Sequence, residues 1–298
     1  MLALGGDGAV HEVANGLMQI PAAQRPMLGV VPVGSGNDFA RTLGLTDITD
    51  VSGTDFSALL TSEPTVCDIM RITYETSGSG APRRVVEYAV QTASFGLDAA
   101  IAIDTHTMRK RTGLTGAPLY MASGLKAFGR SYRDYPVRVR FDDGETRHLR
   151  TIVFAIQNGP TYGSGFNICP RASISDGLID VCYASGPVPR AVALPVFLSA
   201  KNGRHVGSKH VHIERIKKVD LTFPQATTPS SSTASKSAPR ACASRSCPAH
   251  STCCSRSISA MRNPSQQPRR QNAPKVHSRG VNKVIMSKSR FESSLSRL

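Results

Sequence analysis

The sequence predicts an α/β domain with a parallel, incomplete sheet, followed by an all-β sandwich. Three features carry this prediction: a strand-helix-strand-helix alternation over the first 45 residues, a run of short β-like segments between Leu60 and Phe223, and the loss of periodicity after Pro224. The expected divisions are 1–60 for the α/β domain, 61–223 for the sandwich and 224–298 for a disordered basic tail.

In the α/β region "MLAL" and "MLGVVPV" read as strands, and "AVHEVANGLMQI" and "NDFARTLGL" as the helices that follow them. Val10, Val13, Leu17 and Ile20 recur at spacings of three and four, so one face of the first helix packs on the sheet. Phe39 and Leu43 do the same in the second. The later β-like runs are "TVCDIMRITYE", "RRVVEYAVQTASFG", "PVRVRFDD", "RTIVFAIQNG", "GLIDVCYA" and "KHVHIERIKKVDLTF". Alternation is clearest in "YPVRVRF", where Val137, Val139 and Phe141 share one face and Arg138 and Arg140 the other. One helical interruption is expected, at "GLTGAPLYMASGLKAF". Beyond Pro224, Ser, Arg, Pro and Cys dominate, and such a segment buries too little to offset the entropy of ordering it.

Composition narrows the function classes. The chain has 298 residues and 40% hydrophobic content, enough for a sizeable core. Its most apolar stretch, "AVALPVFLSA", is about half the roughly 20 residues of a membrane-spanning helix and contains Pro195. No basic patch, apolar run and small-residue cleavage site marks a secretory leader, so a cytoplasmic protein is expected. The net charge of +15 is unevenly placed: Met1 to Phe223 holds 23 Lys and Arg against 20 Asp and Glu, and Pro224 to Leu298 holds 13 against Glu292 alone. A nearly neutral body with a basic, aromatic-poor tail predicts no specific nucleic-acid partner. Cys67, Cys169 and Cys182 lie far apart, and the crowded Cys242, Cys247, Cys253 and Cys254 match no common zinc spacing. His205, His210 and His212 lie in "GRHVGSKHVHI", whose strand pattern turns Val211 and Ile213 inward and His210 and His212 outward, against a histidine metal site.

The chemistry is concentrated in two glycine loops. "GGDGAVHE" (Gly5 to Glu12) sets consecutive glycines between a strand and a helix N-terminus, where backbone N–H groups and the helix dipole favour phosphate oxygens. Asp7 inside it suits a divalent cation bridging phosphates, or alternatively a helix cap. "VPVGSGNDFAR" repeats the device one strand later, with Ser35, Gly36 and Asn37 at its turn. Both loops should emerge at the carboxyl ends of neighbouring parallel strands, where ligands bind.

Together "GGDGAVHEVANGL" and "LGVVPVGSGNDFARTLG" resemble the catalytic domain of the diacylglycerol kinase family, particularly its bacterial lipid kinases, and are similar to sphingosine kinases. The resemblance resumes in "FGLDAAIA" and "NGPTYGSGFNICPRASISDGLIDV" and covers Met1 to about Phe223. NAD kinases and phosphofructokinases share the GGDG loop, but the G-[ST]-G-N-D-F-A-R continuation is that of the lipid kinases. The resemblance implies ATP and Mg²⁺ as cofactors, phosphoryl transfer to a lipid hydroxyl such as that of diacylglycerol, and peripheral membrane contact. It implies that Gly5, Gly6, Asp7, Gly8, Ala9, Val10, His11 and Glu12 cradle the nucleotide phosphates, with Ser35, Gly36 and Asn37 completing the nucleotide site. Ala9 stands where the family usually has Thr, and Ser35 replaces another Thr with its hydroxyl kept. For His11 and Glu12 a solvated first helical turn is the other reading.

"ASISDGLID" resembles the family's structural magnesium segment, which implies the Asp176 carboxylate and the Ser173 and Leu178 carbonyls as ligands; an Asp-Gly turn is the alternative. Two departures accompany these matches. Family members carry a further strand-helix-strand unit before the first glycine loop, so a shortened and unstable first lobe is expected. They also place the general base in an Asp-Gly-Glu-like stretch after the strand matching "KKVDLTF", where "PQATTPSSSTASK" stands here, and no acidic residue lies between Asp220 and Glu292. No catalytic base is therefore assigned, and a catalytically inactive nucleotide- and lipid-binding remnant is the alternative function. The change of texture at Pro224 is expected to reflect a shifted reading frame, which an Asp-Gly-Glu strand in another frame of the gene would reveal.

Overall fold

The computed structural model describes residues 1–45, 64–76, 83–130, 132–223, 230–232, 255–260 and 284–287. The expected domain division at 60/61 lies outside them. The chain opens with β1 (Leu2–Gly5), α1 (Asp7–Leu17), β2 (Gly29–Pro32) and α2 (Asp38–Thr42), the predicted order. β1 and β2 pair in parallel, with Leu2 opposite Gly29 and Gly5 opposite Pro32, so both glycine loops leave the same end of the sheet. The apolar stripe of α1 buries Val10, Ala14 and Leu17, while Phe39 and Leu43 of α2 and its C-cap close the same core. Each such fully buried side chain contributes about 1.5–3 kcal/mol.

The second region is an antiparallel sheet system. Its strands are β3 (Pro64–Cys67), β4 (Met70–Thr76), β5 (Arg83–Ala89), β6 (Thr92–Gly96), β7 (Tyr135–Phe141), β8 (Thr146–Gln157), the short β9 (Thr161–Tyr162) and β10 (Phe166–Asn167), β11 (Ile179–Ser185), β12 (Val211–Ile216) and β13 (Lys218–Thr222). The long β8 organises them. Its first half pairs with β7, from Arg140 opposite Thr146 to Tyr135 opposite Thr151. Its second half pairs with β6, with Thr92 opposite Gln157 and Gly96 opposite Val153. Its other edge carries β11, and β11 carries β12. Val139, Phe154, Ile156, Val181 and Val219 from these strands are fully buried in one cluster, the inward face that the alternation in "YPVRVRF" predicts.

Three helices sit among the strands where one is expected: α3 (Leu97–Thr112), α4 (Gly116–Arg130) and α5 (Arg190–Ser199). The periodicity of α3 is hidden because its buried face carries Asp98 and Thr105 beside Leu97 and Ile101. α5 is the apolar stretch with Pro195, and its apolar residues run all round the helix. The inward-outward assignment on β12 holds for Val211, which packs against the core, and is corrected for Ile213, which is exposed, and for His212, whose ring stacks on Tyr183 at 4.9 Å.

Within 224–298 the described residues are the strands β14 (Ser230–Ser232), β15 (Ser255–Ala260) and β16 (Val284–Ser287). β15 lies between β13 and β4, setting Ile258 opposite Val219 on one side and Ile72 on the other; β14 pairs with β6 and β16 with β3. At these three stretches the expectation of a tail without ordered elements is corrected. The order comes from partner strands supplied by the body, which a reading of the tail's own pattern does not contain.

Gly96, between β6 and α3, has φ 91°, and a Cβ there would stand 2.5 Å from the Ile152 carbonyl oxygen. Gly96→Ala therefore meets both a left-handed backbone and a backbone wall. The substitution is expected to destabilise the fold by about 2 kcal/mol or more, read from the midpoint of urea unfolding; an unchanged midpoint would contradict this turn geometry.

Candidate functional site

The two glycine loops touch. A Cβ on Gly34 would lie 2.2 Å from the Gly6 Cα, so the contact requires glycine at this position. Asp7 then joins the loops: its Oδ1 accepts the Phe39 N–H at 2.9 Å and its Oδ2 the Asp38 N–H at 3.1 Å. The alternative reading of Asp7 as a cap of its own helix is corrected: α1 has no side-chain cap, and Asp7 caps α2 instead. Asn37, at φ 51°, braces the second loop from within: its Oδ1 accepts the Gly34 N–H at 3.0 Å and its Nδ2 donates to the Gly34 carbonyl at 2.7 Å.

Asp38 carries the connection onward. Its Oδ2 accepts the Ser164 N–H and its Oδ1 the Gly165 N–H, both at 2.8 Å, and Arg41 donates to Oδ1 at 2.9 Å. Burial first, and then the neighbouring Asp7 charge, push the Asp38 carboxyl up to about 6 against the pull of those donors. Arg109 of α3 reaches back to donate to the Ser35 hydroxyl at 2.6 Å.

These groups form one end of a cavity of about 560 Å³, lined there by Gly6, Asp7, Gly8, Ala9 and the 34–36 turn, with Asp38 and Arg109. The other end lies among α3, α4, α5 and the sheet, and its wall is apolar, with Ile101, Phe128, Ile152, Phe166 and Phe197. Asp98 stands on the wall at the start of α3, 3% exposed. The Tyr162 hydroxyl donates to its Oδ2 at 3.1 Å. Burial pushes the Asp98 carboxyl up to about 7 and the Tyr162 phenol well above its ordinary value. At the far end His205 is buried and its Nε2 donates to the Ile168 carbonyl at 3.0 Å; His205 and Cys182 both line the cavity.

Of the sequence-predicted nucleotide residues, the structure brings Gly6, Asp7, Gly8, Ala9, Ser35 and Gly36 to this cavity. Gly5 ends β1, Val10 packs in the core, Glu12 is exposed on α1 and Asn37 is spent inside its loop. His11 is neither a phosphate ligand nor solvated: it is 2% exposed and its Nε2 meets the Glu87 carboxylate of β5 at 2.9 Å. Sequence reasoning passed over Asp38, Asp98, Arg109 and Tyr162. Two of them stood in motifs already singled out, "GSGNDFAR" and "FGLDAAIA", and Tyr162 in "NGPTYGSG"; only Arg109 lacked any signal beyond its charge.

The expected magnesium segment is placed elsewhere. One Asp176 oxygen is paired with Arg215 and the other accepts the Leu178 N–H at 3.1 Å. Arg215 also approaches the buried Asp180 carboxylate at 3.3 Å. The carboxylate that a cation on Ser173, Asp176 and Leu178 would use is thus paired with a guanidinium in this structure. The Asp-Gly turn reading fits this geometry, and no chemical step is assigned to it.

The glycine-loop region, residues 1–72, matches the diacylglycerol kinase catalytic domain, and residues 91–240, half the chain, match the YegS C-terminal NAD kinase beta sandwich-like domain. The chain belongs to the diacylglycerol kinase catalytic-domain family. It is 37% identical over 188 residues to the "Probable lipid kinase YegS-like" protein of Chromohalobacter salexigens, covering 61% of this chain and 52% of that one. It is 32% identical over 220 residues to a protein of the same description from Xanthomonas oryzae pv. oryzae, covering 72% and 64%. The chain therefore spans between half and two thirds of these relatives. A crystal structure of a diacylglycerol kinase from Bacillus anthracis shares the fold at a TM-score of 0.56 and 16% identity, covering 89% of this chain and 77% of that one.

Asp38 and Asp98 hold protons in the folded state at pH values where an unfolded carboxyl has lost them. The folded chain then binds more protons than the unfolded one between about pH 4 and 7, and this contribution to stability is lost as pH rises through that window. Asp98→Asn, which has no proton to lose, is expected to gain thermal stability over wild type at pH 7.5 and little or none at pH 4.5. Scanning calorimetry of both proteins across that range decides it, and parallel pH curves would refute it.

Proposed function

We propose that this chain carries the nucleotide and lipid sites of an ATP-dependent lipid kinase, which transfers the γ-phosphate to a lipid hydroxyl such as that of diacylglycerol. One observation carries the reading: a single cavity runs from two glycine loops to an apolar wall, an arrangement suited to a substrate with an oily body and a reacting head. The N-terminus of α1 opens at Gly6 onto the polar end, where its dipole favours an anion. Ser35 and Arg109 add a hydroxyl and a cation beside it.

The site also suits a divalent cation arriving with the nucleotide. Asp7 and Asp38 both line the cavity close enough to raise one carboxyl against the other, and hard oxygen donors are what Mg²⁺ takes. Such an ion supplies neutralisation of phosphate charge. The chain's own residues position the reactants: the touching loops fix the phosphates, and the N–H groups of Ser164 and Gly165 on Asp38 fix the second region against them. Access to a lipid fits peripheral contact with a membrane. Ile103, Leu114 and Leu125 are exposed on or between α3 and α4, Arg109, Lys110 and Arg111 form the last turn of α3, and each basic residue close to an anionic surface adds about 1 kcal/mol. No helix among the described residues is long and apolar enough to cross a membrane.

A second reading, a nucleotide- and lipid-binding protein without turnover, is favoured by the lack of any acidic residue between Asp220 and Glu292. Transfer of labelled γ-phosphate from ATP into mixed micelles of diacylglycerol separates the two. Label is expected in the lipid, falling at least tenfold in Asp7→Ala, because that variant leaves the α2 N–H groups unpaired and loosens the loop contact. ATP binding without transfer would install the second reading in its place.

A further inference from the structure

The apolar end of the cavity holds a sulfur. Side chains alternate along β11, so Val181 and Tyr183 enter the core between the sheets, while Cys182 and Ala184 take the opposite face. Val153 stands opposite Ala184 on β8, and all three side chains of this face line the cavity. α5 lies over that end with Ala193, Val196 and Phe197 on the wall, and none of its residues is fully buried. The cavity reaches solvent along α3, where Ala102 and Arg109 line it and are themselves exposed.

Two neighbours set the chemistry of this sulfur. The His205 Nε2 lies 3.8 Å from the Cys182 Sγ and 3.0 Å from the Ile168 carbonyl oxygen. A carbonyl only accepts, so this nitrogen carries the hydrogen, and the sulfur faces a donor rather than a base. Cys169, packed in the same cluster, is the second neighbour. Its hydrogen bond first, and then that of His205, hold the Cys182 thiol below its ordinary value against the push of burial, while the same bond and burial push Cys169 up. The proton of the pair thus rests on Cys169, and thiolate character falls on the sulfur that lines the cavity. The thiolate is the nucleophilic form of cysteine.

We propose that Cys182 is a covalent capture site for α,β-unsaturated aldehydes and ketones that carry an alkyl chain, the chain seating in the apolar end of the cavity and the sulfur adding to the β carbon. The sulfur electron pair forms the S–C bond, the C=C π pair moves toward the carbonyl oxygen as an enolate, and the α carbon takes up the proton that the thiol gave up. Nothing is oxidised or reduced and no group leaves. That balance suits this place, because a leaving group formed beneath α5 would have to travel back along the whole cavity. The carbon chain matches the wall of Val153, Phe197 and Ala184, and selects against small polar electrophiles. The capture needs the cavity alone, so it goes beyond the lipid-kinase reading and stands whether or not the chain transfers phosphate.

The full chain is exposed to trans-2-nonenal or to acrolein, the same reacting group without the chain, then reduced with borohydride and mapped peptide by peptide in the mass spectrometer. Mapping separates Cys182 from Cys67 and Cys169 and from the four cysteines beyond Pro224. Cys67 is buried and does not line the cavity, so it is the internal control. In the folded chain Cys182 is expected to take up nonenal at least about tenfold faster than Cys67, and in urea the two are expected to react within about threefold of each other. Each rate at Cys182 is also divided by that of free glutathione with the same aldehyde. This ratio is expected to be about tenfold or more higher for nonenal than for acrolein, since each buried methylene is worth roughly fourfold and a few seated ones suffice. With the fold verified by a cooperative urea transition, no adduct at Cys182, an adduct formed equally fast at Cys67, or equal ratios for the two aldehydes would each overturn the proposal.

Discussion

Two carboxylates, each spent on backbone N–H groups of another segment, hold the site together. Asp7 reaches from the first glycine loop to the start of α2, and Asp38 reaches from α2 to the turn at Ser164 and Gly165. Three segments distant in sequence are thereby tied in series by charge-assisted hydrogen bonds, which are roughly twice as strong as neutral ones. The glycine contact between Gly6 and Gly34 makes the first link possible, because a Cβ on Gly34 would stand 2.2 Å from the Gly6 Cα and force the loops apart. The cost is visible in Asp38, whose burial next to Asp7 works against its own charge. A site assembled this way gains rigidity and loses stability near neutral pH, the exchange expected where function sets the residue and packing must accommodate it.

The second organising device is the long strand β8. By pairing with β6 along its second half it sets the β6-α3 turn, and with it Asp98, over the same cavity that the glycine loops border. By pairing with β11 on its other edge it sets Cys182 and the helices that follow at the apolar end. One strand thus fixes the distance between the polar and apolar ends. A cavity whose polarity changes along its length selects molecules whose polarity changes in the same order, and this is the physical content of the lipid reading.

Much of this was legible in the sequence. The glycine loops, the parallel order of the first two strands and the inward faces of α1 and β7 follow from periodicity, and periodicity is what local sequence records. The failures share a cause. His11 reads as a first-turn polar residue because nothing near it in sequence announces Glu87, which arrives on a strand 76 positions later. α3 was missed because its buried face includes Asp98 and Thr105, and a polar residue that serves a cavity erases the amphipathic signal of its helix. The strands within 224–298 borrow their partners from the body, and Asp176 pairs with Arg215, a residue from the neighbouring strand. Apart from α3, each miss is a long-range pairing, invisible to any window.

The same reasoning explains why the functional residues that were missed are acids. A buried carboxylate without a cation disrupts the pattern of its element, costs stability and leaves no local trace of its partner. In this chain Asp38 is accounted for by the N–H groups it accepts, and Asp180 by Arg215, though each remains raised by burial. Asp98 is held by the Tyr162 hydroxyl on Oδ2 and by hydrogen bonds from the Ser94 side chain and the N–H groups that open α3, all of them working against the push of burial.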